Sequence, residues 1–194
     1  MIFLCTVFAG FCYYVIMSDL RKYEKFYAHI TSGIRKHPSG RVIINILDKF
    51  FTRIIFVIYP LLILYVFLHP LYNGEGTVTG VMNTLPIILI PGVSFLILST
   101  VRHCISRKRP YEEYDLDPLI HKEKKGRSMP SRHVFSSAVI SMCALYICVP
   151  LGIFCLLITI GAAFIRVLGG VHYPSDVTVG FAVGIISGYI LFLI

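Results

Sequence analysis

Residues 134–165 read VFSSAVISMCALYICVPLGIFCLLITIGAAFI, an uninterrupted stretch without Asp, Glu, Lys or Arg. A helix needs about 20 mostly apolar residues to cross a bilayer, so this stretch is too long for one crossing. Pro150-Leu151-Gly152 in its middle supplies residue types that end one helix and permit a tight reversal before the next, and the stretch therefore reads as two spans. Outward from it lie four more charge-free stretches: Met1–Ser18, Ile54–Asn73, Gly76–Val101 and Val177–Ile194. Met1–Ser18 has neither a basic residue before it nor an Ala-x-Ala step after it, so it is expected to be a retained helix and not a cleaved leader. The expectation is one all-α domain over 1–194, a bundle of six transmembrane helices at about 1–18, 54–72, 80–101, 133–149, 151–168 and 176–194.

Composition agrees. Of the 194 residues 56% are apolar and 14% charged, against roughly 45–50% and 25% in a soluble domain. So little charge among so much Leu, Ile, Val and Phe disfavours a water-soluble core, a fibrous repeat and disorder alike. Five of the six cysteines (Cys5, Cys12, Cys143, Cys148 and Cys155) fall inside apolar stretches and read as buried small hydrophobes.

Two polar segments interrupt the spans. In Asp19–Arg53, Ile43, Ile46, Leu47 and Phe50 recur at helical spacing while Asn45, Asp48 and Lys49 take the other face, the pattern of an interfacial amphipathic helix. Arg102–Arg132 is a hydrophilic loop with the carboxylates Glu112, Glu113, Asp115 and Asp117 and the basic cluster Lys122, Lys124, Lys125 and Arg127. Its length points to a function beyond connection.

With six crossings, every one of the 18 Lys and Arg falls on one face of the membrane, and only Glu75 and His69 carry an ionisable acid or imidazole on the other. The net charge of +8 is thereby directed at phospholipid head groups, phosphorylated substrates and topology, not at nucleic acid. Three span ends converge on the charged face: Arg102 and Arg109-Pro110, then Pro130-Ser131-Arg132-His133, then Arg166, His172 and Asp176. Three guanidinium groups aimed at one place suit phosphoryl oxygens, and the helix starts at Ser131–His133 and Ser175–Asp176 offer dipoles and N–H groups to an anion. Two His and one Asp supply what transfer through a covalent phosphohistidine requires. Arg107 and Lys108 read as a solvated basic run beside this site, and no cluster with metal-ligand spacing accompanies it.

Arg102-x6-Arg109-Pro110, Pro130-Ser131-Arg132-His133 and Arg166-x5-His172-x3-Asp176 together resemble the three-part signature of the type 2 phosphatidic acid phosphatase superfamily, K-x6-R-P, P-S-G-H and S-R-x5-H-x3-D. Order, spacing and the six-helix layout all agree from about Ile54 onward. Arg102 stands where the family usually has Lys, Arg132 where it has Gly, and Ile165 where it has Ser.

The resemblance implies that His172 attacks phosphorus, that Asp176 orients its imidazole and that His133 protonates the leaving oxygen. It also implies that Arg102, Arg109, Ser131, Arg166 and the backbone of Arg132 bind the phosphoryl oxygens, with the Arg132 side chain either on substrate or at the head groups. The expected activity is metal-independent hydrolysis of a lipid phosphomonoester or diphosphate, with no cofactor. A lipid phosphotransferase using the same intermediate, and a lipid-phosphate binding or transport protein impaired in turnover, stand as alternatives. The expected partners are the substrate lipid and the bilayer, with no nucleic acid and no obligate protein. Bacterial members commonly present this site to the cell exterior, while the count of basic residues places it in the cytoplasm; the protein is expected in a bacterial cell membrane on either side.

Overall fold

The computed structural model describes residues 20–114, 116–122 and 124–194, and the expected span Met1–Ser18 lies outside them. Regular structure among the described residues is helical: α1 (Leu20–Lys36), α2 (Gly40–Tyr72), α3 (Thr77–Ile105), the single turn α4 (Pro110–Glu113), α5 (Arg132–Ile147), α6 (Val149–Leu168) and α7 (Pro174–Tyr189), which ends in a 3-10 turn over Ile190–Phe192. Four of these, α2, α3, α6 and α7 with its extension, are long and apolar enough to cross a membrane, and α5 is apolar but shorter.

α5 is the hub. Val134, Phe135, Ala138, Val139, Ile140, Met142, Cys143 and Ala144 are all buried, so the helix is enclosed on every side, which is why its sequence is apolar all round instead of on one stripe. The surrounding helices turn apolar side chains outward: Leu61, Leu64, Leu96, Ile97 and Leu157 are each more than half exposed, as suits contact with lipid. α7 approaches α5 along a column of Gly180, Gly184 and Gly188. A Cβ on these would stand 2.7 Å from the Ser131 carbonyl oxygen, 2.6 Å from the Ala138 Cβ and 2.3 Å from the Met142 Cβ. Small residues of this kind let two membrane helices pack backbone to backbone.

The reversal expected at Pro150 is present. α5 stops at Ile147, and Pro150 sits in the first turn of α6, where its missing N–H leaves no bond unmade.

Two expectations need correction. Ile43, Ile46 and Phe50 do point outward, but they belong to the first half of α2, which runs unbroken from Gly40 to Tyr72 with Pro60 inside it. No glycine or proline separates residues 41–59, so nothing ends the helix before the span begins. Asp48, expected on the solvent side, is buried. The separate amphipathic helix is α1, further toward the N-terminus. Cys148 is exposed at the turn between α5 and α6, while Cys143 and Cys155 are buried as expected.

Candidate active site

The final turn of α6 ends at Gly169-Gly170, after which the N–H groups of Val171 and His172 both return to the Arg166 carbonyl. Gly170 has φ +71°, and a Cβ there would stand 2.8 Å from the Tyr27 hydroxyl. The position therefore requires glycine on two counts. This turn places His172 against the start of α7, where it is 2% exposed.

Asp176, fully buried, lies one helical turn on, with its Oδ2 3.6 Å from the His172 Nδ1. Ser128 bridges the gap: its Oγ is 3.3 Å from Nδ1 and donates to Oδ2 at 2.5 Å. The same carboxylate accepts the Tyr173 N–H at 3.0 Å, which caps α7, and pairs through Oδ1 with the Arg107 guanidinium at 3.0 Å. Arg107 in turn donates to the Ser175 hydroxyl and lies 3.9 Å from the centroid of the Tyr173 ring. Arg107 and Ser128 thus belong to the site. Lys108 is exposed, as a solvated basic residue should be. Nothing local distinguishes Arg107 from its neighbours in the sequence, because its partners are 68 and 69 positions away.

In front of His172 is a cavity of about 470 Å³ lined by Arg102, Arg109, Lys122, Lys124, Arg132, His133, Arg166 and His172. Arg102, Arg109 and Arg166 are 5%, 5% and 3% exposed; guanidinium groups this deep lose several kcal/mol of hydration each, so each must find compensation. Arg102 donates to the Pro130 carbonyl at 2.7 Å and Arg109 to the Gly126 carbonyl at 3.2 Å. Arg166 has more: its Nε pairs with Asp48 at 2.8 Å and its Nη2 donates to Thr52 at 3.1 Å, both on α2. Asp48 also takes Lys122 at 3.4 Å. Ile165, in place of the family's Ser, packs with Ile44, Leu119, Ile120 and Val171.

Burial pushes the His172 imidazole down to about 4, even though Asp176 pulls the other way. At neutral pH it is therefore the free base.

Of the expected site residues, Arg102, Arg109, Arg132, His133, Arg166 and His172 come together on one cavity, with Asp176 behind His172. Ser131 does not reach it. It is fully buried, its hydroxyl has no partner, and its N–H donates to the Asp176 carbonyl at 2.9 Å. Of the helix-start N–H groups expected to face an anion, that of Ser131 is engaged through this bond and that of Asp176 donates to the Tyr173 carbonyl at 3.0 Å within the start of α7. The acidic loop is structural where it is described. Glu112 accepts from the backbone N–H groups of Arg109 and Gly126, Glu113 accepts from the Tyr173 hydroxyl, and Asp117 pairs with Arg35 and Arg41. Among the described residues no group of three His, Cys, Asp or Glu stands together to hold a metal ion.

Residues 80–194 match the model of the PAP2 superfamily. Two solved structures share the fold. The crystal structure of Aquifex aeolicus LpxE is 21% identical over 92% of this chain and 99% of its own, with a TM-score of 0.65. That of the first transmembrane PAP2 type phosphatidylglycerolphosphate phosphatase from Bacillus subtilis is 19% identical over 97% and 92%, with a TM-score of 0.64. No curated protein matches the chain.

Proposed function

The chain belongs to the PAP2 superfamily, and from that membership we propose that it removes a phosphoryl group from a membrane lipid through a phosphohistidine at His172. The observation that carries this reading is the division of the His172 ring. Its Nδ1 is occupied by Ser128 and Asp176, while the residue lines the cavity, so Nε2 is the nitrogen left to attack. Arg102, Arg109 and Arg166 hold the phosphoryl oxygens and stabilise the charge that develops on them. His133 donates a proton to the departing oxygen, and water then releases phosphate from His172. Ser131 contributes through its backbone bond to α7, and Arg107 and Ser128 position Asp176.

A lipid substrate is supported by a second cavity. An apolar groove of about 520 Å³ runs between α3 and α7 along Leu89, Ile97, Val101, Val179 and Val183, and it ends at Met129 and Pro130, the residue whose carbonyl receives Arg102. A head group at the arginines leaves its chain in reach of this groove without drawing it out of the bilayer. Phosphate release in detergent from a panel of lipid phosphates, with trapping of a phosphoenzyme, tests the proposal. Turnover without any trappable phosphohistidine rejects the nucleophile.

Two further outcomes are expected. Activity survives EDTA; complete loss, restored by Mg²⁺, would transfer the chemistry to a metal site. The second concerns pH. The folded-state pKa of His172 is depressed from 6.5 to about 4, so the nucleophile stays competent as pH falls past 6.5 and is lost only on descending through about 4. After allowance for the ionisation of the substrate, the acid limb of kcat/KM should lie near that lower value, and an enzyme limb at 6.5 would contradict the buried neutral imidazole.

A further inference from the structure

The cavity before His172 is lined by six cations, namely Arg102, Arg109, Arg132, Arg166, Lys122 and Lys124. Among the described residues, the carboxylate ion-paired to any of them is Asp48, shared by Arg166 and Lys122. A phosphomonoester brings about two negative charges, which Arg102, Arg109 and Arg166 suffice to meet. Lys122, Lys124 and Arg132 are additional, and all three lie outside the motif positions to which a phosphoryl group is assigned by side chain. Like charges gathered in a half-enclosed space repel, and that repulsion is relieved only when an anion of matching charge enters.

We propose that Lys122, Lys124 and Arg132 form a second anion subsite, and that the preferred substrate is a lipid diphosphate. This deepens the phosphatase reading and rests on it. The terminal phosphoryl group occupies the arginine clamp and the inner phosphate lies against the second set. The two subsites are adjacent because Arg166 Nε and Lys122 Nζ grip different oxygens of one buried carboxylate, at 2.8 and 3.4 Å. Burial, and after it the charge of Arg166, lowers the Lys122 pKa, as expected of an ammonium held at the cavity wall beside another cation. Arg132 leaves the first turn of α5 next to His133, with its guanidinium 5.9 Å from the Phe95 ring centroid.

The step balances without a further reactant. A bond forms from His172 Nε2 to the terminal phosphorus as the bond from that phosphorus to the bridging oxygen breaks. The electron pair stays on the bridging oxygen, which takes the His133 proton and leaves as lipid monophosphate against Lys122, Lys124 and Arg132. Water oxygen then bonds to the phosphorus as the phosphorus–Nε2 bond breaks and returns its electron pair to the His172 imidazole, one water proton passes to His133, and orthophosphate is released.

The test compares farnesyl diphosphate with farnesyl monophosphate, which share one chain, on the full-length protein in detergent. The wild type is expected to favour the diphosphate by more than its better leaving group alone provides, the second set of cations adding about ten- to a hundred-fold in kcat/KM, the worth of one or two charge-assisted contacts. The double variant Lys122→Gln, Lys124→Gln should lower the diphosphate-to-monophosphate ratio by about that factor, and Lys122→Arg, Lys124→Arg should keep it at the wild-type value. The ratio does not depend on the fraction of a variant that folds. A wild type without preference, or a double variant that loses equally on both substrates, overturns the subsite. Should neither substrate be hydrolysed, the phosphatase reading fails separately. The subsite is then judged by thermal stabilisation of the wild type, which pyrophosphate must give more strongly than orthophosphate at equal concentration, and equal shifts overturn it.

Discussion

The substitution His172→Ala is expected to abolish phosphate release from lipid phosphate and from p-nitrophenyl phosphate alike, because without Nε2 no leaving group, however good, can be displaced onto the enzyme. His133→Ala should behave differently. On the proposed mechanism it removes only a proton donor, and that help matters in proportion to the basicity of the departing oxygen, so the expected loss is about 10²–10⁴-fold on a lipid alkoxide and far smaller on nitrophenolate. Both side chains sit at helix ends, so folding in detergent must be shown first by thermal unfolding. Equal losses on the two substrates in folded His133→Ala would remove His133 from the acid role. A trappable phosphoenzyme in His172→Ala would remove His172 from the nucleophilic one.

The second large effect is expected at Asp48, a residue outside the lining of the cavity. Asp48→Ala leaves the buried Arg166 and its neighbour Lys122 without their carboxylate, and breaking a buried ion pair from one side costs about 3–5 kcal/mol. A clear fall in unfolding temperature should follow. Asp48→Asn keeps the shape and one acceptor oxygen, so it should fold, and it isolates the effect on alignment. A guanidinium displaced by about 1 Å lowers turnover about 10²-fold. Wild-type kcat/KM in Asp48→Asn would show that Thr52 alone suffices to aim Arg166.

Asp48 also illustrates what the sequence makes legible and what it conceals. Helical spans and the reversal at Pro150 follow from hydropathy and from residue chemistry that acts locally, and both are present. The motif residues Arg102, Arg109, His133, Arg166 and His172 carry their spacing within the chain, and the span ends bring them to one cavity. By contrast, Asp48 pairs with Arg166 across 118 positions, and Arg107 reaches Asp176 across 69. No local pattern announces either contact, since an Asp followed by Lys on a half-polar helix and an Arg in a basic run have ordinary solvated readings. Ser131 fails in the opposite direction. Its motif position suggests contact with substrate, but tight packing of α7 against the start of α5 encloses its hydroxyl and recruits its N–H.

That packing gives α7 two columns of residues with different freedoms. Gly180, Gly184 and Gly188 face α5 with no room for one more carbon, and the register they fix holds Asp176 and the start of α5 together. One position earlier in each turn, Val179, Val183 and Ser187 face the apolar groove; Val183 also packs against the core, so on the proposed function it is Val179 and Ser187 whose volume sets how much space a hydrocarbon chain finds. Substitutions at Val179 or Ser187 are expected to leave the glycine column untouched. If the proposed function holds, the helix can be retuned at these two positions for chains of different length or branching while the end that carries Asp176 keeps its geometry, so that selectivity for the lipid tail can drift in evolution, or be engineered, independently of the chemistry.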